Sequence, residues 1–218
     1  MKSEKIKNLE IIILPVGQMK ANCYLLIDTK SQDCIVIDPG DDTEYIKTIV
    51  LHNNLLPKKI IVTHGHVDHV MAVWELCATW QIPFWASKKD EFLINNMSRS
   101  AQHWLGFDPG PIPVVNKDLG RQKEISFEKH FFKIIQTPGH TPGSVCLYLE
   151  KENIIFVGDL IFAGGGVGRT DFSYSNKNEL DKSVEKILQL PPQTIFYPGH
   201  GESDTLENFS KQYLSPNR

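Results

Sequence analysis

The sequence lacks an apolar run of membrane length and has few cysteines. Its four cysteines, Cys23, Cys34, Cys77 and Cys146, are scattered among apolar neighbours. Because no two are spaced like a zinc knuckle or a redox motif, we expect buried, reduced thiols of the kind found in the cytoplasm. Near the N-terminus the apolar stretch 11–14 is too short for the core of a signal peptide. The sequence therefore predicts a cytoplasmic protein without a membrane-spanning segment.

An excess of positive charge is also absent. Lysine and arginine total 23 against 26 aspartates and glutamates, which gives a formal net charge of −3. No overall basic field is present to attract nucleic acid, so we expect no nucleic-acid partner. A chain of 218 residues is long enough for one α/β domain with a substantial core, and no linker interrupts it. We therefore expect a single domain over residues 1–218.

Apolar runs separated by turn residues predict an α/β protein whose first three strands form an antiparallel meander. Residues 97–124 are rich in glycine and proline and are predicted to be irregular, as in a loop that covers a site. The predicted strands are residues 9–15, 21–28, 34–38, 59–62, 84–86, 131–136, 145–149, 154–157 and 194–197, and the predicted helices are residues 43–52, 70–80, 89–95 and 177–190.

Three histidines and one aspartate stand within six positions directly after one predicted strand. On a tight turn, His64 and His66 alternate in direction and can bind one ion. Asp68 and His69 follow where the chain enters a helix and can reach a second ion, while Gly65 leaves room for the bend. Imidazole nitrogens and a carboxylate oxygen suit zinc, and also iron or manganese. The motif therefore predicts a metal site.

Further ligand-type residues follow other predicted strands. His140, Asp159 and His200 each stand in a turn after a strand of the second half, and strand ends are where α/β proteins build their sites. Asp38 ends a strand of the first half and has two readings. It either caps the following helix or turn, or it accepts a hydrogen bond from a metal-binding imidazole.

The contexts of these residues, THGHVDH, TPGHTPGS, GD and PGH in that order, resemble those of the metallo-β-lactamase superfamily. The match extends over nearly the whole chain and is close to the small glyoxalase II-like (hydroxyacylglutathione hydrolase-like) branch. The resemblance implies a four-layer αββα sandwich with mixed sheets and a site at one edge. It assigns one metal ion to His64, His66 and His140, a second to Asp68, His69 and His200, and the bridging position to Asp159.

A glycine-rich segment after the Asp159 strand helps to distinguish between branches of the superfamily. Residues 164–172 are similar to the GRTD segment of small glyoxalase II-like proteins and persulfide dioxygenases. Arg169 is a candidate for binding a substrate carboxylate in a bidentate manner, or alternatively for an internal salt bridge with Asp171. Tyr174 is a second candidate for substrate contact.

The resemblance implies a binuclear metallohydrolase that uses a metal-bridging hydroxide to cleave a thioester such as S-lactoylglutathione. Two divalent ions are expected, zinc first and iron or manganese as alternatives. Asp68 is predicted to be catalytic, orienting the nucleophile while it binds metal. The partner is a small-molecule thioester, possibly derived from glutathione. The helical C-terminal domain that contacts glutathione in the larger enzymes is not expected here, which leaves glutathione recognition open.

Other functions are compatible with the same motifs. A persulfide dioxygenase would hold one iron ion with His64, His140 and Asp159. A β-lactamase or nuclease of the same superfamily is a further alternative, although we expect neither an export signal nor an RNA-binding domain. A structural zinc module is disfavoured because such sites use four sulfur or nitrogen ligands. The sequence predicts no oligomeric state.

Overall fold

The computed structural model describes residues 2–215. The chain divides into two compact units, with the boundary between Arg121 and Gln122. We call them the N-terminal unit and the C-terminal unit. The single domain over residues 1–218 stays a prediction. Among residues 2–215, no helix combines the length and the apolar character needed to cross a membrane.

The N-terminal unit is built on a seven-stranded mixed sheet whose strands lie side by side in sequence order. The first four strands are antiparallel, as the predicted meander requires, and the last three continue in parallel. The strands are β1 (Lys2–Ile6), β2 (Leu9–Val16), β3 (Ala21–Asp28), β4 (Asp33–Ile37), β5 (Leu56–Ile61), β6 (Phe84–Ala86) and β7 (Lys117–Asp118). The helices are α1 (Thr43–His52), α2 (Val67–Val70), α3 (Val73–Trp80), α4 (Glu91–Asn95) and α5 (Met97–Trp104), with 3-10 turns at Lys88–Asp90 and Leu119–Arg121.

The core of this unit is built from apolar side chains that recur at the spacing expected for a strand or a helix. Every residue of β3 is buried, and its alternate side chains Cys23, Leu25 and Ile27 belong to one apolar cluster. Ile46 and Val50 lie one helical turn apart on α1 and join the same cluster. Each such aliphatic side chain stabilises the fold by about 1.5–3 kcal/mol when it is fully buried.

The C-terminal unit contains a six-stranded mixed sheet and two helices. The elements are β8 (Glu124–Phe127), β9 (His130–Gln136), β10 (Val145–Leu149), β11 (Ile154–Gly158), β12 (Ile195–Pro198), β13 (Asp204–Thr205), α6 (Lys177–Ile187) and α7 (Leu206–Tyr213). The strands lie in the order β13-β12-β11-β10-β9-β8. Within this sheet only the β11–β12 pair is parallel, and β10 and β11 form the predicted hairpin. Leu180, Val184 and Ile187 of α6 pack in one apolar cluster with Phe209 of α7.

Several elements differ from the sequence-based prediction. The prediction that residues 97–124 are irregular is wrong for Met97–Trp104, which is α5, and for Lys117–Asp118, which is β7. Met97 and Ala101 are buried one turn apart, and the glycines and prolines begin only after this helix. Strands β1, β7, β8 and β13 and helix α7 were not predicted, and the predicted helix 70–80 is divided into α2 and α3. Strand β1 is charged and pairs only with β2 at the sheet edge, so it has no apolar run to reveal it.

The thiols agree with the expected reduced state. All four cysteines are free; Cys23, Cys34 and Cys146 are buried, and Cys77 is half-buried. Burial raises the pKa of Cys34 and that of Cys146 to about 12. The pKa of Cys77 is raised to about 11 for the same reason. Neutral thiols are therefore the expected form at physiological pH.

Candidate metal centre

The histidine motif of the N-terminal unit brings two ring nitrogens face to face. Nε2 of His64 lies 3.1 Å from Nδ1 of His66. Two ligand atoms bound at about 2.0–2.1 Å to one tetrahedral ion lie about 3.3 Å apart. His66 has an extended backbone directly before α2, which turns its ring toward His64. The spacing therefore fits two nitrogens that share an ion.

Asp68 and His69 form a second donor pair in the same motif. Both lie in the short helix α2 and both are buried. Oδ2 of Asp68 lies 3.7 Å from Nε2 of His69, beyond hydrogen-bond range and near the spacing of two ligands on one ion. The ring centroids of His69 and His64 are 4.2 Å apart. We call the four residues His64, His66, Asp68 and His69 the N-terminal ligand cluster.

One buried carboxylate orients two of these histidines. Asp38 accepts hydrogen bonds from the backbone N–H and the hydroxyl of Thr63, both at 2.7 Å. Because its proton points to Asp38, the Thr63 hydroxyl can accept from Nδ1 of His64, which lies 3.2 Å away. Nδ1 of His69 also lies 3.2 Å from Asp38 Oδ2. The Thr63 contact is therefore expected to keep the proton of His64 on Nδ1 and to leave the lone pair of Nε2 for a metal ion.

Asp38 is not the residue that caps α1, and its role toward a metal-binding imidazole stays a prediction. The N-cap of α1 is Asp42, and it makes no side-chain capping bond. Asp38 instead is 1% exposed and contacts His69. Its backbone has a φ of 51°, in the left-handed region that aspartate and asparagine tolerate better than most residues. The carboxylate is therefore held for the imidazoles at a small backbone cost.

Close packing around the motif requires glycine at two positions. The N–H of Gly65 donates to Oδ2 of Asp90 at 2.9 Å, and a Cβ at this glycine would lie 2.8 Å from Cβ of Asp90. A Cβ at Gly40 would lie 1.6 Å from the carbonyl oxygen of Asp68. Gly40 therefore lets the chain pass directly against the backbone of a predicted ligand.

In the C-terminal unit an aspartate lies near two histidines. Oδ2 of Asp159 is 3.6 Å from Nε2 of His140 and 3.7 Å from Nε2 of His200. Asp159 directly follows β11, and His200 follows β12 after one intervening residue. These three residues are the C-terminal ligand cluster. A carboxylate that faces two ring nitrogens at these distances has the placement expected of a bridging ligand.

His140 is held by backbone and loop contacts. Its Nδ1 lies 2.8 Å from the carbonyl oxygen of Arg169. Because a carbonyl only accepts, Nδ1 carries the proton and Nε2 keeps its lone pair on the side of Asp159. The Ser175 hydroxyl donates to the backbone carbonyl of His140 at 2.7 Å. His140 is therefore fixed in both ring state and position.

The predicted substrate residues adjoin His140. Nε and Nη2 of Arg169 donate to the two carboxylate oxygens of Asp171 at 2.6 and 2.5 Å, the internal salt bridge that the sequence offered as the alternative. This bonding lowers the pKa of Asp171 to about 2. The ring of Tyr174 stacks on Phe172 with centroids 5.2 Å apart. Contact of Arg169 or Tyr174 with substrate stays a prediction.

All seven predicted ligands are histidine or aspartate side chains, four in the N-terminal ligand cluster and three in the C-terminal ligand cluster. Nitrogen and carboxylate donors of this kind suit zinc, iron and manganese. Sequence reasoning missed Thr63, Ser175 and the carbonyl of Arg169. Thr63 stands next to His64 and could have been suspected for that reason. A backbone carbonyl leaves no trace in the residue types.

Comparison with known proteins places this site in a family. The family model described as "Metallo-beta-lactamase superfamily" matches residues 16–200. The chain belongs to this superfamily. It has the metallo-β-lactamase fold, an α/β class with mixed sheets, as the sequence predicted. The superfamily binds divalent metals, and the histidine and aspartate donors described above are consistent with a metallohydrolase of this superfamily.

Two sequence relatives illustrate the match. An uncharacterized protein of Aquifex aeolicus is 38% identical over 201 residues, which cover 90% of this chain and 92% of the relative. The hydroxyacylglutathione hydrolase GloC of Haemophilus influenzae is 32% identical over 212 residues, covering 95% of this chain and 99% of the relative. Both relatives are therefore matched over almost their full length.

Two solved structures are similar over nearly the whole chain. The BLEG-1 B3 metallo-beta-lactamase has a TM-score of 0.87 at 30% identity and covers 94% of this chain and 98% of its own. TTHA1623 in a di-iron-bound form has a TM-score of 0.84 at 30% identity and covers 93% and 98%. Relatives at similar identity thus carry different names, so family membership alone does not define the substrate.

Proposed function

We propose that this protein is a binuclear metallohydrolase that cleaves thioesters of 2-hydroxy acids, such as S-lactoylglutathione. The observation that carries this proposal is the full-length match to hydroxyacylglutathione hydrolase GloC. In the proposed centre the two ligand clusters act together. His64, His66 and His140 would hold one ion, Asp68, His69 and His200 would hold the other, and Asp159 would be shared by both.

Two divalent ions, when bound, lower the pKa of a water molecule toward about 7 and polarise a substrate carbonyl. We propose zinc as the metal; iron and manganese suit the same donors, and the di-iron form of TTHA1623 supports iron as the alternative. The donor set fits because the tautomers of His64 and His140 each direct a lone pair away from the protein contact that fixes the ring.

The protein residues supply position and charge. Asp38 holds His69 directly and His64 through Thr63, so the N-terminal ligand cluster needs little rearrangement before it acts. Asp68, which is 8% exposed, accepts a hydrogen bond from the attacking water and aims it. A thiolate leaves without a proton from a strong general acid, whereas an amide nitrogen needs one. This difference favours a thioester as the substrate.

The proposed substrate is a small molecule, with a thiol part derived from glutathione. We propose Tyr174 as a contact for the thiol part. A cytoplasmic location and the lack of nucleic-acid and membrane partners belong to the same proposal.

A second candidate function is β-lactam hydrolysis, favoured by the similarity to BLEG-1. The same metal-activated water would attack a strained amide. The two candidates differ in the leaving group. A β-lactam nitrogen needs protonation or direct metal contact as the ring opens, whereas a thiolate needs neither.

The experiment is a parallel assay of one metal-reconstituted preparation. Zinc, manganese and iron(II) forms are each tested for loss of S-lactoylglutathione, hydrolysis of a chromogenic β-lactam, and oxygen uptake with glutathione persulfide. We expect thioester turnover with two ions per chain. Faster β-lactam turnover would favour the second candidate, and one iron ion with oxygen uptake would favour the dioxygenase predicted as an alternative from the sequence.

The matched variant is Asp68→Asn, which has the same shape but a weaker acceptor. We expect kcat to fall about 100-fold or more while the metal content, measured on the same sample, is retained in large part. Full activity with both ions bound would show that Asp68 does not orient the nucleophile.

A further inference from the structure

Arg169 and Asp171 form a closed ion pair next to His140. Two parallel N–H groups of the guanidinium meet the two carboxylate oxygens, the bidentate geometry in which such a pair is strongest. The guanidinium carbon also lies 4.5 Å from the ring centroid of Phe172, in cation–π range. We call Arg169 and Asp171 the ion-pair clamp.

The same segment forms the contacts that orient His140. The backbone carbonyl of Arg169 accepts from Nδ1 of His140 at 2.8 Å. The ring of Phe172 packs edge-on to the imidazole, with centroids 6.3 Å apart. Gly168 adds a third contact, because a Cβ there would lie 2.0 Å from the carbonyl oxygen of Asp159. The segment is thus fitted against two predicted ligands and cannot shift without moving them.

We propose that the ion-pair clamp is a positioning device for His140, and that Arg169 does not bind the substrate carboxylate. The clamp fixes the peptide at Arg169, the Arg169 carbonyl fixes the proton of His140 on Nδ1, and Nε2 is left as the donor to a metal ion. This inference rests on the proposed role of His140 as a ligand. Arg169 and Asp171 themselves touch neither metal nor substrate and are positioning residues.

The geometry separates this role from substrate binding. Asp171 already occupies both the Nε and the Nη2 positions of Arg169, so a substrate carboxylate would have to displace an equally good partner. The pair has no net charge, which removes the attraction that an isolated arginine would offer to an anion. The side chains are 55% and 62% exposed, so their loss changes global stability little. A local effect on His140 is therefore measurable apart from unfolding.

The test compares metal affinity in four variants of the full chain. Asp171→Asn and Arg169→Gln each open the clamp, and the double variant Arg169→Asp with Asp171→Arg restores the pair in reverse. The control is Asp181→Asn, which breaks the exposed Lys177–Asp181 pair on α6. Zinc affinity is measured on apo protein by competition with a chromogenic chelator. Nitrogen-15 NMR of the histidine side chains reports the tautomer of His140.

We expect Asp171→Asn and Arg169→Gln each to weaken zinc binding about tenfold. This is the lower part of the range for residues that hydrogen-bond to a metal ligand. The reversed pair should regain most of the loss, and the control should match the wild type. The His140 tautomer should become mixed in the open variants only. At saturating zinc, KM for the thioester should stay within twofold of the wild type.

A different pattern would overturn the proposal. If Arg169 binds substrate, Arg169→Gln raises KM, Asp171→Asn lowers it, the reversed pair rescues nothing, and zinc affinity is unchanged throughout. Unchanged zinc affinity and tautomer in both single variants would overturn it in any case. The affinity and NMR measurements need no thioester. A wild-type chain that binds zinc without hydrolysing S-lactoylglutathione would therefore reject the proposed substrate and leave the clamp to be judged separately.

Discussion

The two units orient their histidines in different ways. In the N-terminal unit a buried carboxylate, Asp38, serves His69 directly and His64 through Thr63. In the C-terminal unit a backbone carbonyl serves His140, and the peptide that bears it is fixed by an exposed ion pair. A buried carboxylate acts through its charge, whereas a carbonyl acts through the conformation of its loop. The first arrangement is robust to solvent conditions, and the second depends on distant contacts.

The units nevertheless share one packing device. In each, a glycine lies against the backbone carbonyl of a predicted aspartate ligand: Gly40 against Asp68 and Gly168 against Asp159. A side chain at either position would push the ligand away. The ligands therefore depend on close backbone packing in both units, whatever group orients the histidines.

The largest expected effect comes from replacing either of these glycines by alanine. Gly40→Ala and Gly168→Ala place a Cβ 1.6 and 2.0 Å from a backbone oxygen, so we expect each to lower the free energy of unfolding by about 3 kcal/mol. Urea denaturation of the apo protein measures it. The control is Gly166→Ala, whose Cβ would sit 3.5 Å from Phe162. Gly168→Ala as stable as this control would contradict the packing argument.

The next-largest effect is expected when a substitution removes the charge of Asp38. Asp38→Asn keeps the shape and tolerates the left-handed backbone, but it weakens the acceptor for Thr63 and His69. We expect about 100-fold weaker zinc binding, at the upper part of the range for such partners. Chelator competition measures the change. An affinity loss no larger than that of Asp171→Asn would erase the proposed difference between the units.

The salt dependence of zinc affinity should also differ between the two arrangements. The ion-pair clamp is exposed and the Debye length falls to about 3 Å at 1 M salt, so part of its effect should be screened. Zinc affinity of the wild type should approach that of Asp171→Asn between 0.1 and 1 M of a salt whose anion binds zinc weakly. The ratio between wild type and Asp38→Asn should change less than twofold. Equal salt sensitivity of both ratios would contradict this account.

The last prediction concerns a feature in which the units should not differ. Each has a buried thiol whose pKa rises from 9.0 to about 12, Cys34 in one and Cys146 in the other. Below pH 9 both states hold these protons. Above it the unfolded chain loses them first, so stability falls by about 1.4 kcal/mol per pH unit for each thiol. Cys34→Ala and Cys146→Ala should each reduce the slope of unfolding free energy between pH 9 and 11; an unchanged slope would exclude this source.

The elements with a clear apolar pattern were predicted with little error. The predicted bounds of α1, β3 and β6 agree with the structure. The missed helix α7 had a signal, since Leu206 and Phe209 lie three residues apart and are buried. Strand β1 had none, because a charged edge strand pairs through its backbone. Apolar patterns in the sequence therefore predict core elements better than edge strands.

The site, too, was predictable from the sequence only in part. The predicted ligands were recognisable as residue types that stand at strand ends, and the part played by Asp38 was among the two readings offered. The Arg169 carbonyl and the contacts of Gly40 and Gly168 were not predictable, because they involve backbone atoms brought close by the fold. Arg169 illustrates the limit: the sequence offered both a substrate carboxylate and Asp171 as its partner, and the structure shows the pair with Asp171.

The central claim is that both ligand clusters contribute to one binuclear centre, and metal content per chain tests it most directly. Apo protein is loaded with excess zinc, desalted and measured by mass spectrometry beside His69→Ala and His140→Ala, one change in each unit. We predict two ions per wild-type chain and fewer than two in each variant. One ion or none in the wild type, or two ions retained in either variant, would contradict the account.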